Sequence, residues 1–175
     1  MRHRAIIAFG ANLGDREKTL RAALAALDAT PGLKVTAVSP LYASDPVGYA
    51  DQPEFINGVA ALDTSLAPEE LLHLLLKTET AFGRVRTFAN GPRTLDLDLL
   101  FYDGLSRHSS QSLTLPHPRW RERPFVPAPL ADLLAARELA PVTDWDDLRA
   151  ELKALTDRTG IRRWQDSGKG ERGRS

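Results

Sequence analysis

The segment Leu95-Asp96-Leu97-Asp98-Leu99 alternates apolar and acidic residues with a strict period of two. That pattern is incompatible with a helix, where residues two apart point in different directions, and it dictates a strand with one buried face. Leu95, Leu97, Leu99 and Phe101 are expected to enter a core. Asp96 and Asp98 then project together from the other face, with α-carbons about 6.6 Å apart at about 3.3 Å per residue. Aspartate is disfavoured in strands, and two like charges on one face repel. A bound cation resolves that conflict, and magnesium prefers hard oxygen ligands that leave room for water and phosphate oxygens. The competing reading is an exposed strand face with both carboxylates in water.

The charge around this segment favours the cation. Total charge is balanced, 23 basic against 23 acidic residues, which speaks against a general nucleic-acid binder. Within residues 84–123, however, there are 7 basic and 4 acidic residues, and every basic one is arginine. Arg84, Arg86 and Arg93 lie just before the aspartates. Planar guanidinium groups beside metal-binding carboxylates suit polyphosphate transfer, because they offset charge on the transferred group. A Gly-x-x-x-x-Gly-Lys-Ser/Thr run is missing, so the chain is not a P-loop enzyme. It has no cysteine, which excludes disulfides and thiol chemistry. It also lacks an apolar run of the roughly 18 residues needed to span a bilayer. A cytoplasmic protein without membrane or nucleic-acid partners is expected, and a monomer.

Along the chain, residues 4–10 read as a strand, and Asp15 caps a helix carrying Leu20, Leu24 and Leu27 on one face, stopped by Pro31-Gly32. Residues 35–42 and 55–62 read as strands separated by a loop with Pro46, Gly48 and Pro53. A second helix starts at Pro68 and closes before Gly83. After the loop 83–94 comes the strand 95–102, then a turn-rich stretch with Pro116, Pro118 and Pro124. A helical segment follows at 130–136, and a last helix capped by Asp144 carries Leu148, Leu152 and Leu155. Residues 1–164 form a single domain on this reading, and 165–175, without apolar content, a disordered tail. The order strand, helix, strand, strand, helix, strand is that of ferredoxin-like α+β folds, a mainly antiparallel sheet with helices packed on it.

Five blocks in colinear order make the chain resemble the 6-hydroxymethyl-7,8-dihydropterin pyrophosphokinases of folate biosynthesis. They are residues 10–14 (Gly-Ala-Asn-Leu-Gly), 52–57 (Gln-Pro-Glu-Phe-Ile-Asn), 83–86 (Gly-Arg-Val-Arg), 91–98 (Gly-Pro-Arg-Thr-Leu-Asp-Leu-Asp) and 113–118 (Leu-Thr-Leu-Pro-His-Pro). The resemblance implies an ATP-dependent diphosphotransferase of ferredoxin-like fold that yields AMP and the pterin diphosphate. It further implies that Asp96 and Asp98 hold two magnesium ions bridging the ATP phosphates. Arg84, Arg86 and Arg93 would contact those phosphates, the first two from a loop that closes over the site. His117 and Arg123 would bind the polyphosphate from the far side, with Thr114 and Glu79 near the nucleoside. Phe55 and Phe125 would sandwich the pterin, while Asn57 and backbone groups near Ser44, Asp45 and Val47 read its edge. By spacing alone the two phenylalanines fit ordinary core positions equally well. The sequence departs from the family pattern at Asn90, where many members carry an aromatic residue, and at Leu76, where a polar nucleotide contact is expected. Two other readings stay open at this point: a non-catalytic pterin or nucleotide-binding module, and a kinase that moves only the γ-phosphate.

Overall fold

The strand β1 (His3–Ala11) runs through the middle of the molecule, and from Ala5 onward every residue is buried. Ala5, Ile7 and Phe9 face one core, and Ile6 and Ala8 face another. A strand covered on both faces requires such a continuous apolar run. The computed structural model describes residues 3–11, 15–44, 55–82, 95–103, 108–118, 120, 126–135 and 161–163. The expected helix capped by Asp144 and the 165–175 tail lie outside these residues.

Helix α1 (Arg16–Asp28) begins where Asp15 accepts a hydrogen bond from the Lys18 amide at 3.3 Å, and it buries Leu20, Ala23, Leu24 and Leu27. Its chain reverses at Gly32, whose φ of 82° lies in the left-handed region that glycine tolerates. The single strand expected over 35–42 is instead two, β2 (Leu33–Val38) and β3 (Tyr42–Ser44), both antiparallel to β4 (Phe55–Thr64). The break falls at Ser39-Pro40. Proline has no N–H to extend the ladder, and beside it the Ser39 hydroxyl accepts a hydrogen bond from the Val59 amide at 3.0 Å.

Helix α2 (Pro68–Ala81) starts with proline in its first turn, and the Glu70 carboxylate accepts from the Ala67 amide at 2.8 Å. It buries Leu71 and Leu75 on the same face of the sheet as α1. The aspartate strand β5 (Asp96–Tyr102) pairs with β1 and ends the sheet. Beyond it come a short hairpin, β6 (His108–Ser109) with β7 (Thr114–Leu115), and helix α3 (Pro127–Ala135), which begins three residues earlier than expected. A further strand not expected from the sequence, β8 (Ile161–Arg163), pairs with β3. The main sheet runs β5-β1-β4-β3-β8, with β2 also on β4. It is the antiparallel α+β arrangement of ferredoxin-like folds.

One expectation about β5 is corrected. Leu95, Leu97 and Leu99 do pack with α1 and α2, but Phe101 does not join them. The register against β1 shifts between Ile6, opposite Phe101, and Ile7, opposite Leu99, which leaves Leu100 as an extra residue. Such a bulge reverses the alternation beyond it. Phe101 therefore packs on the α3 side, edge-on to Trp120 with ring centroids 5.5 Å apart.

A close contact between β1 and β4 supplies a stability test. A Cβ at Gly58 would lie 2.5 Å from Phe9 Cζ and 3.2 Å from Ser39 Oγ, both in the buried interior. Gly58→Ala is expected to cost about 1–3 kcal/mol through overpacking. Urea unfolding checks this, and an unchanged midpoint would contradict it.

Candidate active site

Asp96 and Asp98 are half-buried, and they stand opposite Gly10 and Ala8 of β1. On the other side of β1, Gly10 is opposite Asn57 and Ala8 is opposite Val59. Directly opposed residues share a face of an antiparallel sheet. Asn57, Gly10 and Asp96 therefore form one row across three strands, on the α3 side of the sheet. With neighbouring strands about 4.8 Å apart, the α-carbons of Asn57 and Asp96 are roughly 10 Å from each other. Between them β1 itself offers only a glycine and an alanine. The absence of a side chain at residue 10 is used directly: a Cβ there would lie 2.3 Å from Asn57 Oδ1.

Phe55 is two residues from Asn57 along β4 and so shares its face. It is half-buried, and its cross-strand partner is Ser44. The end of the sheet thus gathers Ser44, Phe55 and Asn57, with the aspartates two strands away.

The outer edge of β5 is occupied by the walls of a cleft. Glu79, in the last turns of α2 and only 2% exposed, accepts the Leu97 amide at 2.6 Å. The His117 amide donates to the Leu100 carbonyl at 2.8 Å. These two bonds fasten α2 and the segment after β7 to an edge strand that would otherwise present unpaired backbone groups. The resulting cleft, about 360 Å³, is lined by Asp96, Asp98, Glu79, Thr114, His117 and the exposed Leu76 among others. Its lining mixes carboxylates, hydroxyls and an apolar patch, as a small-molecule site requires.

Of the residues expected from sequence, the structure brings Glu79, Asp96, Asp98, Thr114 and His117 to this cleft, and Ser44, Phe55 and Asn57 to the neighbouring sheet end. Asp45, Val47, Arg84, Arg86, Arg93, Arg123 and Phe125 lie outside the described residues. Among the described residues no three histidine, aspartate or glutamate side chains cluster as a metal site. Two carboxylates on one strand face fit a hard divalent cation that completes its shell with ligand oxygens and water. Sequence reasoning missed Gly10 and the bond from Glu79 to Leu97, a contact between residues 18 apart with no local signature.

Comparison with known proteins bears on this arrangement. Residues 6–135 match the family described as 7,8-dihydro-6-hydroxymethylpterin-pyrophosphokinase (HPPK). A protein of Pseudomonas aeruginosa, named 2-amino-4-hydroxy-6-hydroxymethyldihydropteridine pyrophosphokinase, is 50% identical over 133 residues, 76% of this chain and 82% of that one. A Bacillus subtilis protein of the same name is 43% identical over 165 residues, 94% of this chain and 92% of its own. Among solved structures, a chain described as HPPK-DHPS in complex with substrates superposes with a TM-score of 0.60 at 12% identity, covering 93% of this chain and 46% of that chain. At that identity the likeness is one of fold.

Removing the Glu79 carboxylate leaves the Leu97 amide buried without its acceptor. Glu79→Ala should destabilise the protein by about 1–3 kcal/mol, and Glu79→Gln by less because an acceptor oxygen remains. Equal unfolding midpoints for Glu79→Ala and the unaltered protein would contradict the bracing role.

Proposed function

The chain belongs to the 7,8-dihydro-6-hydroxymethylpterin-pyrophosphokinase family, and on that premise we propose that it transfers the pyrophosphoryl group of ATP to 6-hydroxymethyl-7,8-dihydropterin, a step of folate biosynthesis. The observation that carries this reading is the shared sheet face on which Asn57 and the Asp96–Asp98 pair flank the bare backbone of Gly10. One end of that row offers a hydrogen-bonding amide beside an aromatic ring, and the other offers paired carboxylates.

In this reading Asp96 and Asp98 hold two magnesium ions with the nucleotide. When bound, such ions neutralise phosphate oxygens and make phosphorus more electrophilic. The remaining roles belong to the chain itself. Phe55 and Phe125 stack on the two faces of the pterin, since offset aromatic contact adds about 0.5–1.5 kcal/mol beyond burial. The Asn57 amide donates and accepts at once, which matches the paired donor and acceptor edge of a pterin. Ser44, Asp45 and Val47 complete that edge with backbone groups. Glu79 and Thr114 border the nucleoside. Arg84, Arg86, Arg93, His117 and Arg123 contact the triphosphate, where bidentate guanidinium hydrogen bonds add both charge and orientation.

The pterin hydroxymethyl oxygen attacks the β-phosphorus in line. A new P–O bond forms as the bond from the β-phosphorus to the oxygen bridging it to the α-phosphate breaks, AMP leaves, and the hydroxyl proton passes to solvent. Loose transition states of this kind rely on positioning and charge more than on a strong base.

Incubating the protein with magnesium, ATP and the pterin should yield AMP and pterin diphosphate in equal amounts. ADP as the nucleotide product would instead indicate γ-phosphoryl transfer, and no turnover a binding module. Asp96→Ala and Asp98→Ala should each abolish turnover with unchanged circular dichroism; full activity in either would misplace the metal site. Gly10→Ala drives a methyl group into the space of the Asn57 amide. It should raise the pterin KM about tenfold through a lost hydrogen bond while sparing the ATP KM. An unchanged pterin KM would exclude Asn57 from pterin recognition.

A further inference from the structure

Helix α2 is bonded at both ends to walls of the cleft. Near its C-terminus Glu79 holds β5 through the Leu97 amide. In its first turn Glu69 accepts from the Ser110 hydroxyl at 2.8 Å and is hydrogen bonded to the Nε2 atom of His108. An ionised carboxylate can only accept, so Nε2 of His108 is the donor of this bond. From Glu69 to Glu79 the helix rises about 15 Å, and it ties the β6–β7 hairpin to the aspartate strand through a single rigid element.

The hairpin needs such a tie. Each of its strands has two residues, paired as His108 with Leu115 and Ser109 with Thr114. A ribbon this short does not hold its own shape in water. Leu113 and Leu115 anchor one side in the core, and the Ser110 amide closes the turn onto the Leu113 carbonyl at 2.8 Å. Ser110, Gln111, Ser112 and Thr114 line the same cleft as Asp96, Asp98 and Glu79. Leu113, Leu115 and the His117 bond to Leu100 hold the far strand of this wall, and what grips His108 and Ser110 holds its near strand and turn.

We propose that Glu69 is a positioning residue for the nucleotide: by gripping His108 and Ser110 together it fixes the hairpin wall of the cleft against the aspartate strand. The identity of the ligand rests on the reaction assigned above; the latch itself rests on the geometry. Hydrogen bonds from His108 and then Ser110 hold the Glu69 carboxyl below its usual range. Its stabilising effect is thus complete above the ordinary carboxylate range and is lost only as the pH falls through that lowered value.

Steady-state kinetics on Glu69→Ala, Glu69→Gln and Ser110→Ala, together with titration of a non-hydrolysable ATP analogue in magnesium, test the latch. Glu69→Ala should raise the ATP KM and the analogue Kd about tenfold, the equivalent of one or two hydrogen bonds, with kcat and the pterin KM within about twofold. Glu69→Gln keeps an acceptor oxygen and should recover most of the affinity. Ser110→Ala should weaken analogue binding about threefold, and this holds as the test should Glu69→Ala fail to fold. Unchanged analogue binding in Glu69→Ala or Ser110→Ala would overturn the proposal. So would a parallel loss in kcat and both KM values, or a Glu69→Gln variant no better than Glu69→Ala. AMP formation by the unaltered protein tests the reaction; the ratios among variants test only the latch, since the analogue is read without turnover.

Discussion

Every direction available to β5 is used. Its inner edge pairs with β1, Leu97 and Leu99 fill the core beneath α1 and α2, its outer edge receives Glu79 and His117, and its remaining face carries Asp96 and Asp98. Two carboxylates on an edge strand repel each other and invite exposure, so the strand must be secured from elsewhere. The buried Leu95, Leu97 and Leu99 do so on one face, and the hydrogen bonds to the outer edge do so laterally. The same bonds that satisfy the backbone of β5 bring a helix and a loop alongside it, and the cleft is the space they leave.

The middle of the sheet serves the site by what it omits. Ala8 and Gly10 present no bulk between Asn57 and the aspartates, although the alternate residues of the same strand, Ile7 and Phe9, are among the packed core. One strand thus packs Ile7 and Phe9 into the core on one side and sets only small residues between Asn57 and the aspartates on the other, a division that period-two alternation makes possible.

Much of this was legible in the sequence because the signals are local. The leucine spacing of α1, the proline and acidic start of α2 and the alternation of β5 each lie within one element. The resemblance of five short blocks then supplied the family. What escaped reading depends on contacts between distant residues. Phe101 reverses its face because a bulge forms where β5 meets Ile6 and Ile7, and no feature of residues 95–102 alone announces it. The strand expected over 35–42 divides at Pro40, where the ladder lacks an N–H, and both halves still pair with the distant β4. β8 is three residues long, too short for periodicity to show, and is defined by its pairing with β3. The grip of Glu69 on His108 and Ser110 joins a helix to positions some forty residues further on, in a stretch that reads only as turn-rich.

The account rests on Asp96 and Asp98 acting together as a cation site when nucleotide is present. Crystals grown with manganese and a non-hydrolysable ATP analogue, measured at the manganese absorption edge, test this most directly. Anomalous density within coordination distance of both carboxylates and of phosphate oxygens is the predicted result. Bound nucleotide with no anomalous peak at either aspartate would contradict the account.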